Sequence, residues 1–433
     1  MERVLVSELA QHVGQEVLFK GWVHQVRPLS KFAFVILRDR SGIAQGIVFD
    51  PALKANLPER ESVVAVRGRV KAEKQAPRGI ELEILGIDTI SRPSIPVPFE
   101  VNRSMEKLNL KIDVILDHRA FSLRNPELGN VFRIQAEIVR TFAEYMRSQG
   151  FLEIHTSKIV GTGTEGGTNL FQMDYFEQKA YLAQSPQFYK QMLVGAGYER
   201  VFEVGFVYRA EDHATSRHIN EYLSLDFEMG FIENEQDVIA LEKGYLRQLF
   251  ENLRRNCAEE LTFYKKELPV IEDIPQVTLA EAHAILKADF GKSLAEDDDL
   301  DPEAERLLCD YAKKNRNSEF IFVTMYPVSV RPFYAMPDRD NPKLTRSFDL
   351  LYKGLEVTTG GQRMHDPKML EESIRSRGMD PAKFESYLEI FRLGMPPHGG
   401  LAIGTERLTQ QLLDLDNVRQ ACFFPRDRYR ITP

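Results

Sequence analysis

The first ninety residues alternate apolar and polar side chains with the period of a β-strand, and turn residues interrupt the alternation. The alternating segments are EVLFKGWVHQVR, FAFVILRD, GIAQGIVFD, SVVAVRGRVKAE and GIELEILGIDTIS. Five short strands in so short a stretch are typical of a small closed barrel, because closure leaves no strand edge exposed. The pattern therefore predicts an all-β domain over residues 1–92.

A proline-rich stretch follows the predicted barrel. The segment SRPSIPVPFE holds Pro93, Pro96 and Pro98, which stiffen and extend the chain. We therefore predict a linker over residues 93–124 and a second domain over residues 125–433.

The second domain mixes helices with strands that follow one another directly. Asn125 can cap a helix that begins at Pro126. Apolar residues then recur with helical spacing at Val131, Ile134, Ile138, Phe142 and Tyr145. Strands are predicted in VFEVGFVYRA, YLSLDFEMGF, FIFVTMYPV, SFDLLYKG and LEVTTGG, and helices near 185–196, 234–258, 366–378, 381–393 and 406–415. Adjacent strands without intervening helices indicate an antiparallel sheet in an α+β domain.

The net charge of −8 is unevenly distributed along the chain. Residues 1–100 hold 14 Lys and Arg against 12 Asp and Glu, and the remainder holds 42 against 52. An acidic run from Glu296 to Asp301 contributes to the excess, and such runs are usually solvated. We therefore predict a polar insertion near 288–318, and any polyanion would have to bind local basic patches.

Neither a membrane segment nor a cysteine site is indicated. The sequence has no stretch approaching the roughly 18 apolar residues of a membrane span, and its start, MERVLVSELAQHVGQE, is too charged for a signal peptide. We therefore expect a cytoplasmic protein. Cys257, Cys309 and Cys422 lie far apart, so neither a disulfide framework nor a cysteine zinc site is suggested.

Three separated segments combine arginines with acidic residues. The chain contains no G-x-x-x-x-G-K-[ST] loop and no G-x-G-x-x-G after a strand, so a nucleotide would have to be held by arginines and a metal ion. The first segment is VFEVGFVYRAED with the loop HATSRHINE, the second is LEVTTGGQR, and the third is GGLAIGTERL. Each alone could be a surface ion pair or a packing site. Their joint occurrence in this order is more informative.

These segments resemble motifs two and three of the class II aminoacyl-tRNA synthetases, and the helix after Pro126 resembles motif one. The segments QSPQFYKQ, TEGGTNLF and FDLLYKGLEVTTGGQR are similar to aspartyl-tRNA synthetases in particular. The chain lacks room for a large domain between motifs two and three, which makes it similar to the short archaeal and eukaryotic form. The resemblance covers essentially the whole chain and implies a class II catalytic domain with an N-terminal OB-fold barrel that binds the anticodon.

The resemblance implies an ATP site in the second domain. Arg209 would hold the α-phosphate and the attacking carboxylate, and Arg407 the γ-phosphate, since guanidinium groups bind phosphate bidentately. Magnesium would bind Glu356 and the hydroxyl of Thr359, where relatives often carry serine. The other predicted ATP-binding residues are Glu211, Arg217, His218, Ile219, Gly404, Thr405 and Glu406.

The resemblance also implies an aspartate site. Lys190 and Arg363 would bind the side-chain carboxylate, because a cationic pocket disfavours the amide nitrogen of asparagine. Gln187 and Glu165 would bind the α-ammonium group or order the TEGG loop. Arg209 and Thr359 complete the predicted L-aspartate contacts.

In the barrel, Phe34 and Gln45 match positions that bind the central anticodon base, and Glu81 is a further candidate. Stacking on an aromatic ring contributes about 1–3 kcal/mol per base, although Phe34 could also belong to the core. The residues His24 and Pro77 resemble those found at the same positions in enzymes that charge both tRNA(Asp) and tRNA(Asn). The second product would then pass to an amidotransferase.

Alternatives remain open from the sequence. They are a discriminating aspartyl-tRNA synthetase, an asparaginyl-tRNA synthetase, a tRNA-independent asparagine synthetase and a non-catalytic binding protein. Lys190 disfavours the second, the barrel disfavours the third, and the intact arginines disfavour the fourth. Motif one forms a dimer interface in this family, so the resemblance implies a homodimer.

Overall fold

The computed structural model describes residues 1–164, 170–212 and 215–433. These residues form two compact units, Met1–Asn125 and Pro126–Pro433. In the described part of the chain, we find no helix with the length and apolar character needed to cross a membrane.

The first unit contains a closed five-stranded barrel, in the order β1-β2-β3-β5-β4. Its strands are β1 (Glu16–Pro28), β2 (Ala33–Asp39), β3 (Gly42–Val48), β4 (Val63–Ala72) and β5 (Ile80–Ser91). All neighbouring strands are antiparallel except β3 and β5. Alternate side chains point inward and form the core, which includes Val17, Phe19, Val35, Leu37, Val66 and Leu82. This confirms the predicted N-terminal all-β barrel.

Short helices complete the first unit. They are α1 (Pro51–Ala55), α2 (Met105–Leu108), α3 (Ile112–Asp117) and α4 (Arg119–Ser122), with a 3₁₀ helix at Val6–His12. The segment predicted as a linker, 93–124, therefore contains three helices and belongs to the same compact unit as the barrel.

The second unit is built on an eight-stranded sheet in the order β12-β13-β14-β15-β16-β11-β10-β6. Its strands are β6 (Leu152–Glu153), β10 (Arg200–Tyr208), β11 (Glu221–Gly230), β12 (Gln276–Thr278), β13 (Phe320–Thr324), β14 (Ser347–Tyr352), β15 (Leu355–Arg363) and β16 (His398–Gly404). From β13 to β10, each of the six strands is antiparallel to its neighbours, which confirms the predicted α+β class. A small separate sheet contains β7 (Ile159–Val160), β8 (Gln172–Tyr175) and β9 (Gln178–Leu182).

Ten helices of the described residues accompany this sheet. They are α5 (Pro126–Gly129), α6 (Val131–Ser148), α7 (Gln187–Leu193), α8 (Glu235–Asn256), α9 (Ala258–Phe263), α10 (Leu279–Phe290), α11 (Pro302–Arg316), α12 (Pro367–Ser376), α13 (Glu385–Gly394) and α14 (Thr405–Leu413). Four of the five apolar residues predicted to line α6 are buried within the chain: Val131, Ile134, Ile138 and Phe142. Its amphipathic face thus serves the subunit's own core.

The segment predicted as a polar insertion, near 288–318, contains a helix with an apolar face. Ala304, Leu308, Cys309 and Ala312 of α11 are buried with side chains from α10, β13 and β14. Asp301 caps α11 by accepting hydrogen bonds from the amides of Glu303 and Ala304. Part of the acidic run is therefore a helix start, where negative charge is favoured by the helix dipole.

Candidate active site

One cavity gathers most of the predicted ATP-binding residues. It lies where β11, β15 and β16 run side by side, next to the start of α14 and the connection between β10 and β11. The predicted residues that line it are Arg209, Glu211, Arg217, His218, Ile219, Glu356, Thr359, Gly404, Glu406 and Arg407. The sequence reasoning missed Tyr222, Ser224, Val357, Ala402 and Val418, which also line it. Strand alternation in the segment YLSLDFEMGF could have indicated Ser224, because it places Ser224 on the same face as the acidic residues Asp226 and Glu228.

Arg407, Glu356 and Thr359 form a connected polar group in this cavity. Nη1 of Arg407 lies 3.3 Å from Oε2 of Glu356, and the Thr359 hydroxyl donates to Oε1 of Glu356 over 2.7 Å. Burial opposes ionisation of Glu356, but Arg407 and the Thr359 hydrogen bond outweigh it, so the pKa of this carboxyl is lowered. Glu356 is therefore an anion poised beside a cation.

The ends of β10 and β11 position Arg209. The backbone amide of Arg209 donates to the carbonyl of Asn220 over 2.9 Å, and the Asn220 side chain donates to the carbonyl of Arg209 over 2.8 Å. The backbone carbonyl of Arg426 accepts a further hydrogen bond from the backbone N–H of Asn220. The Arg209 side chain is exposed at the cavity, whereas the backbone that carries it is fixed on both sides.

Two residues at the start of α14 that were predicted to bind ATP are buried or already hydrogen-bonded. Thr405 is fully buried and does not line the cavity. Glu406 lines the cavity, but both of its carboxyl oxygens accept from the amide of Leu223 over 3.1 Å. Burial raises the pKa of Glu406 to about 8. Glu406 thus joins α14 to β11.

The predicted aspartate-binding cations form a second, buried group. Lys190 is 1% exposed, and its Nζ lies 3.0 Å from Oδ1 of Asp226 and 3.3 Å from Oε2 of Glu228. Nε of Arg363 lies 3.0 Å from Oε1 of Glu228. Burial tends to raise the pKa of Glu228, but the positive charges of Arg363 and Lys190 outweigh this effect. The pKa is therefore lowered, and Glu228 remains ionised. Gln187 donates to Glu228 over 3.5 Å.

The second group lies on the same sheet face as the cavity. Ser224, Asp226 and Glu228 occupy every second position of β11 and therefore share one face of that strand. Thr359 and Arg363 likewise share one face of β15. The Ser224 hydroxyl, which lines the cavity, donates to Oδ2 of Asp226 over 2.5 Å. Arg363 does not line the ATP cavity itself, but a hydrogen-bonded path connects the two sites.

Gly400 makes the close packing around Glu228 possible. A Cβ atom at Gly400 would lie 2.3 Å from Oε2 of Glu228 and 2.1 Å from the carbonyl oxygen of Phe227. The Gly400 carbonyl also accepts from Arg363 over 2.9 Å. The glycine-rich third segment therefore brings backbone against the buried charges.

The two predicted metal ligands are a carboxylate and a hydroxyl group. Glu356 and Thr359 are adjacent, which suits a hard cation that takes its remaining ligands from water and phosphate. Among the residues that the structure describes, no cluster of three or more His, Cys, Asp or Glu has the arrangement of a metal site. The Thr359 hydroxyl oxygen also lies 2.9 Å from Oδ1 of Asp349, which is paired with Arg331.

In the barrel, Phe34, Gln45 and Glu81 lie near one another on the partly exposed surface. Gln45 and Glu81 are register partners, and Nε2 of Gln45 donates to Oε2 of Glu81 over 2.8 Å. The ring of Phe34 lies 5.2 Å from that of Phe32, and Phe32 lies 6.0 Å from the exposed Phe49. This aromatic cluster had not been recognised from the sequence beyond Phe34.

The two residues predicted to influence tRNA choice differ in exposure. Pro77 is exposed at the start of a 3₁₀ turn. His24 is only 6% exposed, and its Nδ1 lies 2.9 Å from Nη1 of Arg38. Arg38 in turn binds Glu61. The predicted aspartate ligand Glu165 lies outside the described residues.

Comparison with known proteins agrees with this geometry. The family model described as tRNA synthetases class II (D, K and N) matches residues 111–428, and that of the OB-fold nucleic acid binding domain matches residues 17–90. The chain belongs to the class II tRNA synthetases. It is 49% identical to the aspartate–tRNA(Asp/Asn) ligase of Thermus thermophilus, with both chains fully covered. It is 41% identical to the aspartate–tRNA(Asp) ligase of Thermococcus kodakarensis, covering 99% of this chain and 98% of that protein.

Solved structures show the same fold. Asparaginyl-tRNA synthetase from Pyrococcus horikoshii, complexed with asparaginyl-adenylate, superposes with a TM-score of 0.92 at 29% identity, with full coverage of both chains. Aspartyl-tRNA synthetase from Entamoeba histolytica gives a TM-score of 0.90 at 30% identity, covering all of this chain and 93% of that one. Because aspartate and asparagine enzymes both match, the choice of amino acid must be argued from side chains.

Proposed function

We propose that the chain activates L-aspartate with ATP and transfers it to tRNA. The observation that carries this proposal is that Arg209, Arg407 and Glu356 line one cavity, which a hydrogen-bonded path connects to the buried pair Lys190 and Arg363. The arrangement supplies cations for two anionic substrates that repel each other. The full-length relatives named as aspartate ligases support the same conclusion.

In the first step, an oxygen of the α-carboxylate attacks the α-phosphorus of ATP. The bond from that phosphorus to the bridging oxygen breaks, and pyrophosphate leaves with the electron pair, giving aspartyl-adenylate. Arg209 neutralises the attacking carboxylate and the α-phosphate, and Arg407 binds the γ-phosphate. No general base is required, because the nucleophile is already ionised. A ribose hydroxyl of tRNA then attacks the carbonyl carbon, and AMP leaves.

Lys190 and Arg363 favour aspartate over asparagine. Asp226 and Glu228 hold these two cations in fixed positions. A side-chain carboxylate presents only acceptors to them, whereas an amide would present its donor nitrogen to donor groups. This argues against asparagine as the main substrate, although the fold is shared with asparagine enzymes.

Magnesium is the proposed cofactor, held by Glu356 and Thr359. When bound with ATP, the ion would neutralise phosphate charge during pyrophosphate release. Glu211, His218 and Ile219 would border the nucleotide, with Gly404 beside the phosphates. Gln187 and Glu165 remain proposed aspartate contacts.

We propose that residues 1–92 bind the tRNA anticodon through Phe34, Gln45 and Glu81, and that the second unit is catalytic. Phe34 and its aromatic neighbours offer stacking surfaces for unpaired bases. Both tRNA(Asp) and tRNA(Asn) are proposed substrates, with an amidotransferase as the downstream partner and the cytoplasm as the location. Relatives that carry the double specificity in their names include those at 49%, 46% and 45% identity.

A homodimer is also proposed. Since the apolar face of α6 is used within the subunit, support comes from the resemblance of this helix to motif one and from Phe423, which is 52% exposed and stacks on Phe132 of α6. Sedimentation velocity at micromolar concentration should show twice the chain mass of 49.7 kDa. A monomer there would contradict the proposal.

ATP–pyrophosphate exchange tests the central proposal. Wild-type exchange should depend on aspartate and be much weaker with asparagine. Arg209→Ala should lower the aspartate-dependent rate by about 100-fold, because a donor to the developing charge is lost. Arg200→Ala, at the other end of β10, is the matched control and should retain the rate. Near-normal exchange in Arg209→Ala would refute the assigned role.

A further inference from the structure

The helix α11 brings an acidic side chain to the wall of the ATP cavity. Glu305 lies in the first turn of α11, just beyond the Asp301 cap. Its carboxyl is paired with the guanidinium of Arg217, which lines the cavity. The side chains are 12% and 22% exposed, so water is largely excluded from the pair. Among the described residues, this is the one ion pair that Arg217 makes.

The pair connects two elements that are distant in sequence. Arg217 belongs to the loop between β10 and β11, whereas Glu305 is carried by a helix that is anchored in the core by Leu308 and Ala312. An arginine on a loop has many rotamers, and holding it in one orientation before the substrate binds removes that entropy cost from binding. A rigid helix is well suited to provide this constraint.

The electrostatic surroundings explain why Glu305 has a partner. Burial raises the pKa of Glu305 to about 7, and the field of Glu356 acts in the same direction. Arg217 and Arg407 act in the opposite direction. Arg217 is the strongest of the groups that favour the charged form of Glu305, and the ion pair makes each side chain restrain the other.

We propose that Glu305 is a positioning residue that holds the Arg217 guanidinium in the orientation that binds a phosphate group of ATP. Glu305 itself touches no reacting atom. The inference rests on the proposed function, because it deepens the description of the same nucleotide site. It also assigns a role to a segment that the sequence presented as a solvated acidic insertion.

A double-mutant cycle on ATP binding tests the inference. Glu305→Gln should raise KM for ATP about tenfold and leave KM for aspartate and the exchange kcat within about twofold, because a charged hydrogen bond that orients one ATP ligand is weakened. In an Arg217→Ala background, adding Glu305→Gln should change KM for ATP by less than about twofold. Additive effects of the two substitutions would overturn the proposal.

Glu303→Gln is the matched control. Glu303 lies in the same helical turn and pairs with Lys292 at an exposed position, so its substitution should leave KM for ATP unchanged. Equal effects of Glu303→Gln and Glu305→Gln would overturn the proposal, as would a normal KM for ATP in Glu305→Gln. If Glu305→Gln does not fold, Glu305→Asp decides: a raised KM for ATP supports the inference, and a wild-type value contradicts it.

Calorimetry with ATP alone separates this inference from the proposed function. Wild-type protein that binds ATP but shows no aspartate-dependent exchange would refute the function assigned above. Weaker ATP binding in Glu305→Gln than in Glu303→Gln would still support the positioning role. Normal ATP binding in Glu305→Gln, together with aspartate-dependent exchange in the wild type, would refute the positioning role alone.

Discussion

At the scale of single residues, the position of His24 limits how it could act on the proposed choice of tRNA. It is buried in the barrel, where it lies against Arg38, and Arg38 and Arg124 both bind Glu61. Arg38 also lies over the ring of Trp22, with 5.9 Å between the guanidinium carbon and the ring centroid. Any effect of His24 on tRNA choice must therefore be transmitted through this network.

The protonation of His24 should make the barrel sensitive to acid. Burial and the adjacent Arg38 lower the pKa of His24 from its ordinary value of 6.5 to about 4. Between these values the unfolded chain binds the proton and the folded barrel does not, so stability is present above pH 6.5 and is lost as the pH falls toward 4. Between pH 7.5 and pH 5, the loss should be on the order of 2 kcal/mol. Trp22 is the only tryptophan of the sequence, so its fluorescence during urea unfolding reports on the barrel.

The urea midpoint followed by Trp22 fluorescence should therefore be lower at pH 5 than at pH 7.5. His24→Asn keeps an acceptor for Arg38 but does not titrate, so its midpoint should depend less on pH. His12→Asn, at a partly exposed histidine of the same unit, should behave as the wild type. An identical pH dependence in His24→Asn and the wild type would contradict the assigned burial.

Some residue roles could be predicted from the sequence and others could not. Arg209, Glu356 and Arg407 carry the resemblance, and they line one cavity. Thr405 and Glu406 lie next to Arg407 in sequence, but successive residues of a helix point in different directions. Only the three-dimensional packing shows that Thr405 is buried and that Glu406 binds the amide of Leu223.

At the scale of elements, strand alternation and helical spacing were sufficient for most of the sheet and the long helices. The helix α11 differs, because four small or apolar side chains are spread among many charges and the acidic run before it dominates the pattern. Its stability comes from packing with α10, β13 and β14. Tertiary packing of this kind is not visible in a local window of sequence.

Removing one anchor of α11 should destabilise the second unit and disturb the ATP site. Leu308 is fully buried, so Leu308→Ala should lower the free energy of unfolding by about 2–5 kcal/mol through lost burial and a residual cavity. Lys314→Ala, on the exposed side of the same helix, should have little effect. Urea unfolding followed by circular dichroism measures both variants. Equal stability of Leu308→Ala and Lys314→Ala would show that α11 is not anchored by its apolar face.

At the scale of the whole molecule, the order of the two units could be predicted because composition and periodicity change sharply near the prolines after the barrel. The association of residues 93–124 with the barrel could not, since α2, α3 and α4 are each too short to give a clear helical period. The choice between one and two tRNA substrates also belongs to this scale. In the proposed function, this choice depends on the barrel, which binds the RNA that the second unit then aminoacylates.

Charging of both tRNAs is the expected outcome for the intact chain. Purified tRNA(Asp) and tRNA(Asn) should each accept aspartate, because in the proposed function Lys190 and Arg363 select the amino acid and the barrel binds both anticodons. Phe34→Ala should weaken both reactions by raising KM for tRNA about tenfold or more, the result of losing roughly 1–3 kcal/mol of stacking. Aspartate-dependent pyrophosphate exchange, which needs no tRNA in this scheme, should remain normal in that variant. If tRNA(Asn) accepts no aspartate while tRNA(Asp) does, the chain is a discriminating enzyme, and neither the buried His24 nor the exposed Pro77 relaxes its RNA specificity.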